Sequence, residues 1–405
     1  MATPSARPRR LAYRAFRALP RPVRGLGEEV LRRRADRDVR DQRWLDPEAP
    51  VRLLIGPAGS AGQAWQWSRA AERHLPGVSA RTVTAEGRAG PGLDFPRDIH
   101  LSRRAQLHGT RARRAAVLRA THVLSEGARS LLGDPFAGSV LEDLPAFERA
   151  GIRTGILLHG SEIRDPHRHA GRDPHSPFSP GGGADPAYVA RLVELVGRTR
   201  DRVDRFPGPV LVSTVDLLDD VPGATWLPVV VDTTGLAEAA AGRPVLQRPV
   251  PVVLHVPSNR RLKGTDAVEA AMAGLQRRGL VEYRRLEGVR HRDMAAALAD
   301  ADVVIDQVVL GNPGVLLTEA LAAGRLAVAH LTPTVRERLA DADPASGEPP
   351  VLEADPVTIG AVVEQAVTDR DPHAALAARG PAWARARHDG RMSARVLDEA
   401  LLGTR

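Results

Sequence analysis

The chain has 405 residues, 43% hydrophobic and 26% charged, an ordinary globular composition with room for two or three domains. No window approaches the 18 consecutive apolar residues of a membrane-spanning helix, the amino terminus lacks the apolar core of a secretory leader, and cysteine is absent. Disulfides, thiolate catalysis, Cys-ligated zinc and iron–sulfur clusters are thereby excluded, and a cytoplasmic protein is expected.

Charge is placed unevenly. Residues 1–43 hold 13 Arg against five acids, a net of +8 that equals the +8 of the whole chain. Residues 44–405 are therefore neutral in sum, which argues against a nucleic-acid-binding body. Of the 57 basic residues only Lys263 is Lys, and the only two Asn are Asn259 and Asn312. Where Arg has replaced Lys almost everywhere, the surviving Lys points to a need for a compact ammonium.

Residues 1–47 read as an Arg-rich helical arm. Arg10, Arg14, Arg17 and Arg21 form one helical stripe, with Leu11, Ala15, Phe16 and Leu19 on a neighbouring face. Pro20 and Pro22 break that helix, and a second basic helix follows from about Glu28. Such an arm suits an anionic membrane surface, a solvated arm being the plainer alternative. Strands are then predicted at 51–55, 79–86, 120–126, 152–159, 209–215 and 225–231, with helices at 64–74, 100–119 and 139–150. The Pro-, Gly- and His-rich stretch 164–187 reads as a mobile loop rather than a metal site built from His167, His169 and His175. Residues 236–249 read as a hinge. A second series follows, with strands at 250–255, 281–286, 302–306, 326–330 and 351–353 and helices at 265–278, 291–299 and 314–323. Residues 373–402 read as helical.

The predicted fold class is α/β, two Rossmann-like doubly wound parallel-sheet domains facing a cleft. The expected division is the arm 1–47, a first domain 48–235 and a second domain 236–380, with a helix at about 381–405 packing back on the first. Ligands of such sheets bind beyond the carboxyl ends of the strands, so the chemistry belongs in the loops that follow them.

Four loops qualify. Gly56-Pro-Ala-Gly59-Ser-Ala-Gly62-Gln63 follows a strand and opens a helix, so its amides could face an anion. Its spacing is not the dinucleotide G-x-G-x-x-G, because Ala58 takes the middle position, which disfavours a nicotinamide enzyme. The loop Ser258-Asn259-Arg260-Arg261-Leu262-Lys263-Gly264 gathers three cations before a helix, a setting suited to a diphosphate. Asp306 ends a strand, and a Gly/Pro loop then leads to a helix carrying Glu319, whose carboxylate could accept both hydroxyls of a ribose. His159 ends a buried strand of the first half, where it could bond a sugar hydroxyl or act as acid or base. For each loop the plain structural alternative is a turn, a solvated basic loop, an exposed helical Glu or a strand-end His.

Taken together, HVPSNRRLKGTD, ADVVIDQ and GVLLTEALAAG, with GSAGQAW and LLHGSEIR, resemble the group 1, family 4 retaining glycosyltransferases of the GT-B fold, notably those of bacterial polysaccharide and cell-surface glycan assembly. The resemblance implies transfer of a hexose from a nucleoside diphosphate sugar to a hydroxyl of a glycan, glycolipid or small acceptor, without a metal or other cofactor. It implies that Lys263, with Arg260 or Arg261, holds the donor diphosphate and that Glu319 binds the ribose. Gly314 and Val315 would offer amides beside the phosphate, while Gly288 and Val289 would meet the base. Ser258, Asn259 and Asn312 would complete the donor site. His159 would contact the donor sugar, and Gly59, Gly62 and Gln63 would border diphosphate and acceptor. The chain departs from the family at Gly311, where the first glutamate of an E-x7-E pair stands, Glu319 being the second. The rival readings are a nucleotide-binding partner without turnover and a nucleotide-sugar epimerase on the same fold. A cytoplasmic enzyme, peripheral at the inner face of the membrane through residues 1–45, completes the expectation.

Overall fold

The computed structural model describes residues 21–86, 94–108, 110–135 and 137–404. Arg10, Arg14 and Arg17 of the predicted stripe lie outside them. The second basic helix of the arm is present as Arg21–Arg40.

Seven strands form the first sheet: β1 (Val51–Gly56), β2 (Val78–Ala85), β3 (Ile99–Leu101), β4 (His122–Glu126), β5 (Arg153–Leu158), β6 (Val210–Val212) and β7 (Thr225–Trp226). Their order is β3-β2-β1-β4-β5-β6-β7, and every pairing is parallel. Parallel strands need helical crossovers, so both faces are covered and the central strands are largely buried. β1 shows the consequence. Leu54 packs with Phe147 and Ile156 on one face, while Leu53 and Ile55 pack with Trp67 and Leu157 on the other. Five strands form the second sheet: β8 (Val252–His255), β9 (Glu282–Arg285), β10 (Val303–Ile305), β11 (Leu326–Ala329) and β12 (Val351–Glu353). Their order is β12-β11-β10-β8-β9, again all parallel.

The chain crosses between the sheets twice. The first crossing follows β7, where the Val231 amide donates to the His388 carbonyl at 2.9 Å. The second lies between the helix Gly380–His388, which packs on the helix Val315–Ala322, and the helix Arg391–Leu397, which packs on the helix Gln63–His74. Leu397 and Leu401 thereby join the core of the first domain. The hinge differs from the predicted 236–249, because the helix Thr233–Ala240 already buries Leu236 and Ala240 in the second domain's core. The predicted strand 225–231 is correspondingly only two residues long. The predicted helix 100–119 is broken into β3 and two short helices, Arg103–His108 and Thr110–Val117.

The stretch 164–187 is ordered, contrary to the expectation of a mobile loop. Asp165 caps the helix Pro166–Arg172, and Asp185 caps the helix Pro186–Asp204. The segment between them docks on the second domain. His169 bonds Ser176 at 2.7 Å and the Leu310 carbonyl at 3.1 Å, so both its ring nitrogens are spent. His330 lies between Asp173 of the first domain and Glu353 of the second. Burial alone would lower its pKa, but the two carboxylates outweigh burial and push it up to about 9.

Candidate active site

The strand orders locate the site. In the first sheet, succession reverses between β1 and β4; in the second it reverses between β8 and β10. Crevices open beyond the carboxyl ends at these points. Each crevice has the same construction: a carboxylate ending the outer strand reaches the loop after the inner one. In the first domain it is Glu126, in the second Asp306.

Glu126 is fully buried. Its carboxylate accepts the amides of Ala58 at 2.9 Å and Gly59 at 2.7 Å, and it meets His159 Nε2 at 2.9 Å. The amides expected to face a ligand anion are thus already bonded to an internal one. Left-handed backbone at Gly59, Ala61 and Gly62 turns the loop inward; at Gly59 an added Cβ would stand 2.7 Å from Thr84. Burial alone would raise the Glu126 pKa, but the His159 imidazole and the Gly59 and Ser60 amides outweigh it and hold the group below the usual carboxylate range. His159 moves the other way: burial would depress it, and Glu126 overrides burial to raise it. Its ring stacks on Trp67 at 5.8 Å. Gln63 is buried, and its side-chain amide brackets Val230, accepting its N–H and donating to its carbonyl. Its observed role is to hold the first crossing.

In the second domain Lys263 Nζ lies 2.5 Å from Asp306, which also accepts the Gly314 amide at 2.9 Å. Asp306 is fully buried. Gly314 is needed here, since a Cβ would sit 2.7 Å from Asp306 and 2.9 Å from Lys263. A cavity of about 210 Å³ opens beside this pair. Ser258, Lys263, Gly288, Val289, Val315 and Glu319 line it from the second domain, and Ala61 and Phe95 from the first. Glu319 is the only charged residue of the helix Val315–Ala322, which apart from Thr318 is apolar and is buried from Leu316 on. Among the described residues its carboxylate has no hydrogen-bond partner. Burial, and then the nearby Asp306 charge, push its pKa up to about 7. A buried, unpartnered acid beside a cavity and a lysine is a binding site's signature rather than a stabilising feature.

The other predicted residues lie around this centre. Asn259 spends its side chain capping the helix Arg260–Lys263. Arg260 is drawn to Asp266, Glu269 and Glu287 of its own domain. Arg261 pairs with Asp185 of the first domain at 3.1 Å. Asn312 bonds Asp216, also across the domains. The two arginines that sequence alone left equivalent are therefore distinct: one is held by its own domain, the other spans to the opposite one. Gly311 adopts φ 70, and a Cβ there would meet Thr332 at 2.6 Å and Asp173 at 2.8 Å, so the space of a side chain is already filled.

Glu126, Asp173, Ala61 and Phe95 escaped the sequence reading. Glu126 had a usable signal: like Asp306, it is an acid closing an apolar parallel strand. Ala61 and Phe95 had none, because their contact with the cavity follows from how the two domains meet.

No family model and no curated relative matches the chain. Solved structures do. HepE of Anabaena, crystallised with UDP, aligns at TM-score 0.52 and 12% identity, over 86% of this chain and 98% of that one. Sucrose-phosphate synthase of Thermosynechococcus elongatus aligns at 0.53 and 14%, over 86% and 97%. WaaG, a glycosyltransferase involved in lipopolysaccharide biosynthesis, aligns at 0.52 and 12%, over 86% and 99%. With the two facing parallel sheets and the returning C-terminal helix, these likenesses establish the fold as GT-B.

Proposed function

We propose that the chain is a nucleotide-sugar-dependent glycosyltransferase that passes a hexose to a hydroxyl with retention of configuration. The observation that carries this reading is the cavity at the second switch point, where Lys263 stands beside a buried, unpartnered Glu319. The ammonium answers the charge of a diphosphate, and the carboxylate answers the paired hydroxyls of a ribose. One fold neighbour supports the donor class: HepE was crystallised with UDP and with UDP-glucose. The role of WaaG in lipopolysaccharide biosynthesis supports a bacterial glycan or glycolipid acceptor.

In this reading the anomeric C–O bond to the diphosphate breaks, and the acceptor oxygen bonds the same face of the sugar. The acceptor proton passes to the departing phosphate oxygen, so no protein base is required. Lys263 turns from Asp306 towards the leaving diphosphate and stabilises its growing charge. His159, held by Glu126 and stacked on Trp67, offers its ring to the donor sugar in this reading. Ala61 and Phe95 close the cavity from the opposite domain and exclude water.

Calorimetric titration with a panel of nucleoside diphosphates tests the reading. One diphosphate should bind wild type, and Glu319→Gln should weaken it by about tenfold to a hundredfold, the worth of charge-assisted hydrogen bonds. A folded wild type that binds none of them overturns the proposal. A second reading, binding without turnover, is favoured by the filled space at Gly311. Hydrolysis or transfer from the matching sugar nucleotide decides against it.

A further inference from the structure

The basic arm predicted from composition is only part of a larger cationic surface. The helix Arg21–Arg40 packs against the helices Arg103–His108 and Thr110–Val117. Segments 29–43 and 102–121 together expose eleven Arg against four acids, and 102–121 contain no acid at all. Three of the four acids are engaged: Glu29 pairs with Arg32 and Arg33, Asp36 accepts the Ala112 amide, and Asp38 pairs with Arg104. Arg34, Arg37, Arg40, Arg103, Arg111 and Arg114 form no ion pair among the described residues. Some exposed arginines elsewhere pair with neighbouring acids, as Arg198 does with Glu194 and Arg278 with Glu364, whereas others, such as Arg168, Arg277 and Arg395, form no ion pair among the described residues.

Two large apolar side chains stand out of this surface, Leu107 at 64% exposure and Val30 at 49%. Unpaired cations interspersed with projecting apolar side chains complement a lipid headgroup layer: the charges meet phosphates and the apolar tips enter the acyl boundary. A duplex would use the cations and leave Leu107 in water. The chain's own residues 1–20 are a poor cover for the patch, since they carry five Arg and no acid.

The patch is also well placed. Helix Arg103–His108 starts one residue after the carboxyl end of β3, and the Arg103 amide donates to Glu86 at the carboxyl end of β2. That is the edge of the first sheet that carries Glu126 and His159. We propose that this folded face, and not the amino-terminal arm alone, docks on an anionic phospholipid bilayer. The docked face brings the carboxyl edge of the first domain to the membrane, where a lipid-linked hydroxyl acceptor would enter. The acceptor class rests on the glycosyltransferase reading; the docking does not.

Co-sedimentation with phosphatidylcholine vesicles containing 30% phosphatidylglycerol tests this, beside pure phosphatidylcholine vesicles. Each basic contact contributes about fivefold in partitioning, so Arg103→Gln/Arg111→Gln/Arg114→Gln should weaken binding by about a hundredfold. These side chains are exposed and unpaired, so the variant folds. A control with exposed arginines removed elsewhere, Arg168→Gln/Arg277→Gln/Arg395→Gln, should bind as wild type does. Deletion of residues 1–20 should leave binding to the anionic vesicles measurable, and Leu107→Ser should weaken what survives at high salt. The proposal is overturned if the 1–20 deletion abolishes binding, if the two triple variants bind equally, or if a short DNA duplex binds at least as tightly as the vesicles. UDP titration of the same samples separates the two questions: vesicle binding lost with UDP binding intact concerns this face only.

Discussion

Glu319→Gln should make the protein more stable and worse at its task, and the structure sets the size of both effects. Burial and the Asp306 charge push this carboxyl up to about 7 in the folded protein, against 4.5 for a free glutamate. The group therefore binds its proton more tightly when folded. Its contribution to stability is fully present below 4.5 and is lost as pH rises through 7. The difference corresponds to about 3 kcal/mol at 1.36 kcal/mol per pKa step. At pH 8 wild type bears that cost, whereas glutamine, of the same shape and neutral, does not. Urea unfolding at pH 5 and pH 8 measures it. Glu319→Gln should exceed wild type by about 3 kcal/mol at pH 8 and by under about 1 kcal/mol at pH 5. Saturation with the bound nucleoside diphosphate should narrow the gap, because the ligand's hydroxyls stabilise the charged form. Equal stabilities at both pH values would show that Glu319 ionises freely in the folded protein, and the argument for a stored binding charge would fail.

Two further perturbations follow from the first-domain crevice and from Gly311. Glu126→Gln keeps an oxygen for the Ala58 and Gly59 amides but loses the charge and turns its N–H2 towards His159 Nε2, so the charge-assisted bonds weaken and stability should drop by about 2–3 kcal/mol. The His159 titration, followed by NMR, should fall from its raised value; an unmoved titration would mean that Glu126 does not govern the ring. Linkage gives the pH window: the His159 share of stability is complete below 6.5 and fades as pH climbs through its raised pKa, while the Glu126 share fades as pH falls through its lowered one. Gly311→Glu restores the family's glutamate in sequence only. The left-handed backbone and the contacts at Thr332 and Asp173 should lower the melting temperature and leave sugar transfer unimproved. A stable variant with faster transfer would show that Thr332 and Asp173 yield.

The sheets were legible because parallel strands buried on both faces leave apolar runs that the chain cannot hide. The switch-point loops were legible for a related reason: polar residues crowd where those runs stop. Lys263 was marked by composition and Glu319 by its place in an apolar helix. Sequence failed where the determinant was contact between distant segments. The hinge was misplaced because 236–249 carries Gly242, Pro244 and Pro249 and no regular apolar period, whereas Leu236 and Ala240 find their burial against the second domain. The stretch 164–187 resembled a mobile insert for the same reason, since its order depends on Leu310, His330 and two local caps. The glycine loop was read as a ligand's anion cradle because the internal anion, Glu126, comes from another strand.

The two crossings have a mechanical consequence. They are tied to each other by the Val231 amide and the His388 carbonyl, and the first is tied to the helix Gln63–His74 through Gln63 and through the Trp67 indole, which donates to Pro228 at 2.7 Å. A joined pair of strands resists separation and shear but permits rotation, so the two halves have in effect one axis about which to swing. The glycine loop sits directly before that helix, with Ala61 at the cavity wall. Any swing is therefore geared to the loop. Opening the cavity for exchange of its contents and moving the wall that seals it would then be one stroke, transmitted through Gln63 and Trp67.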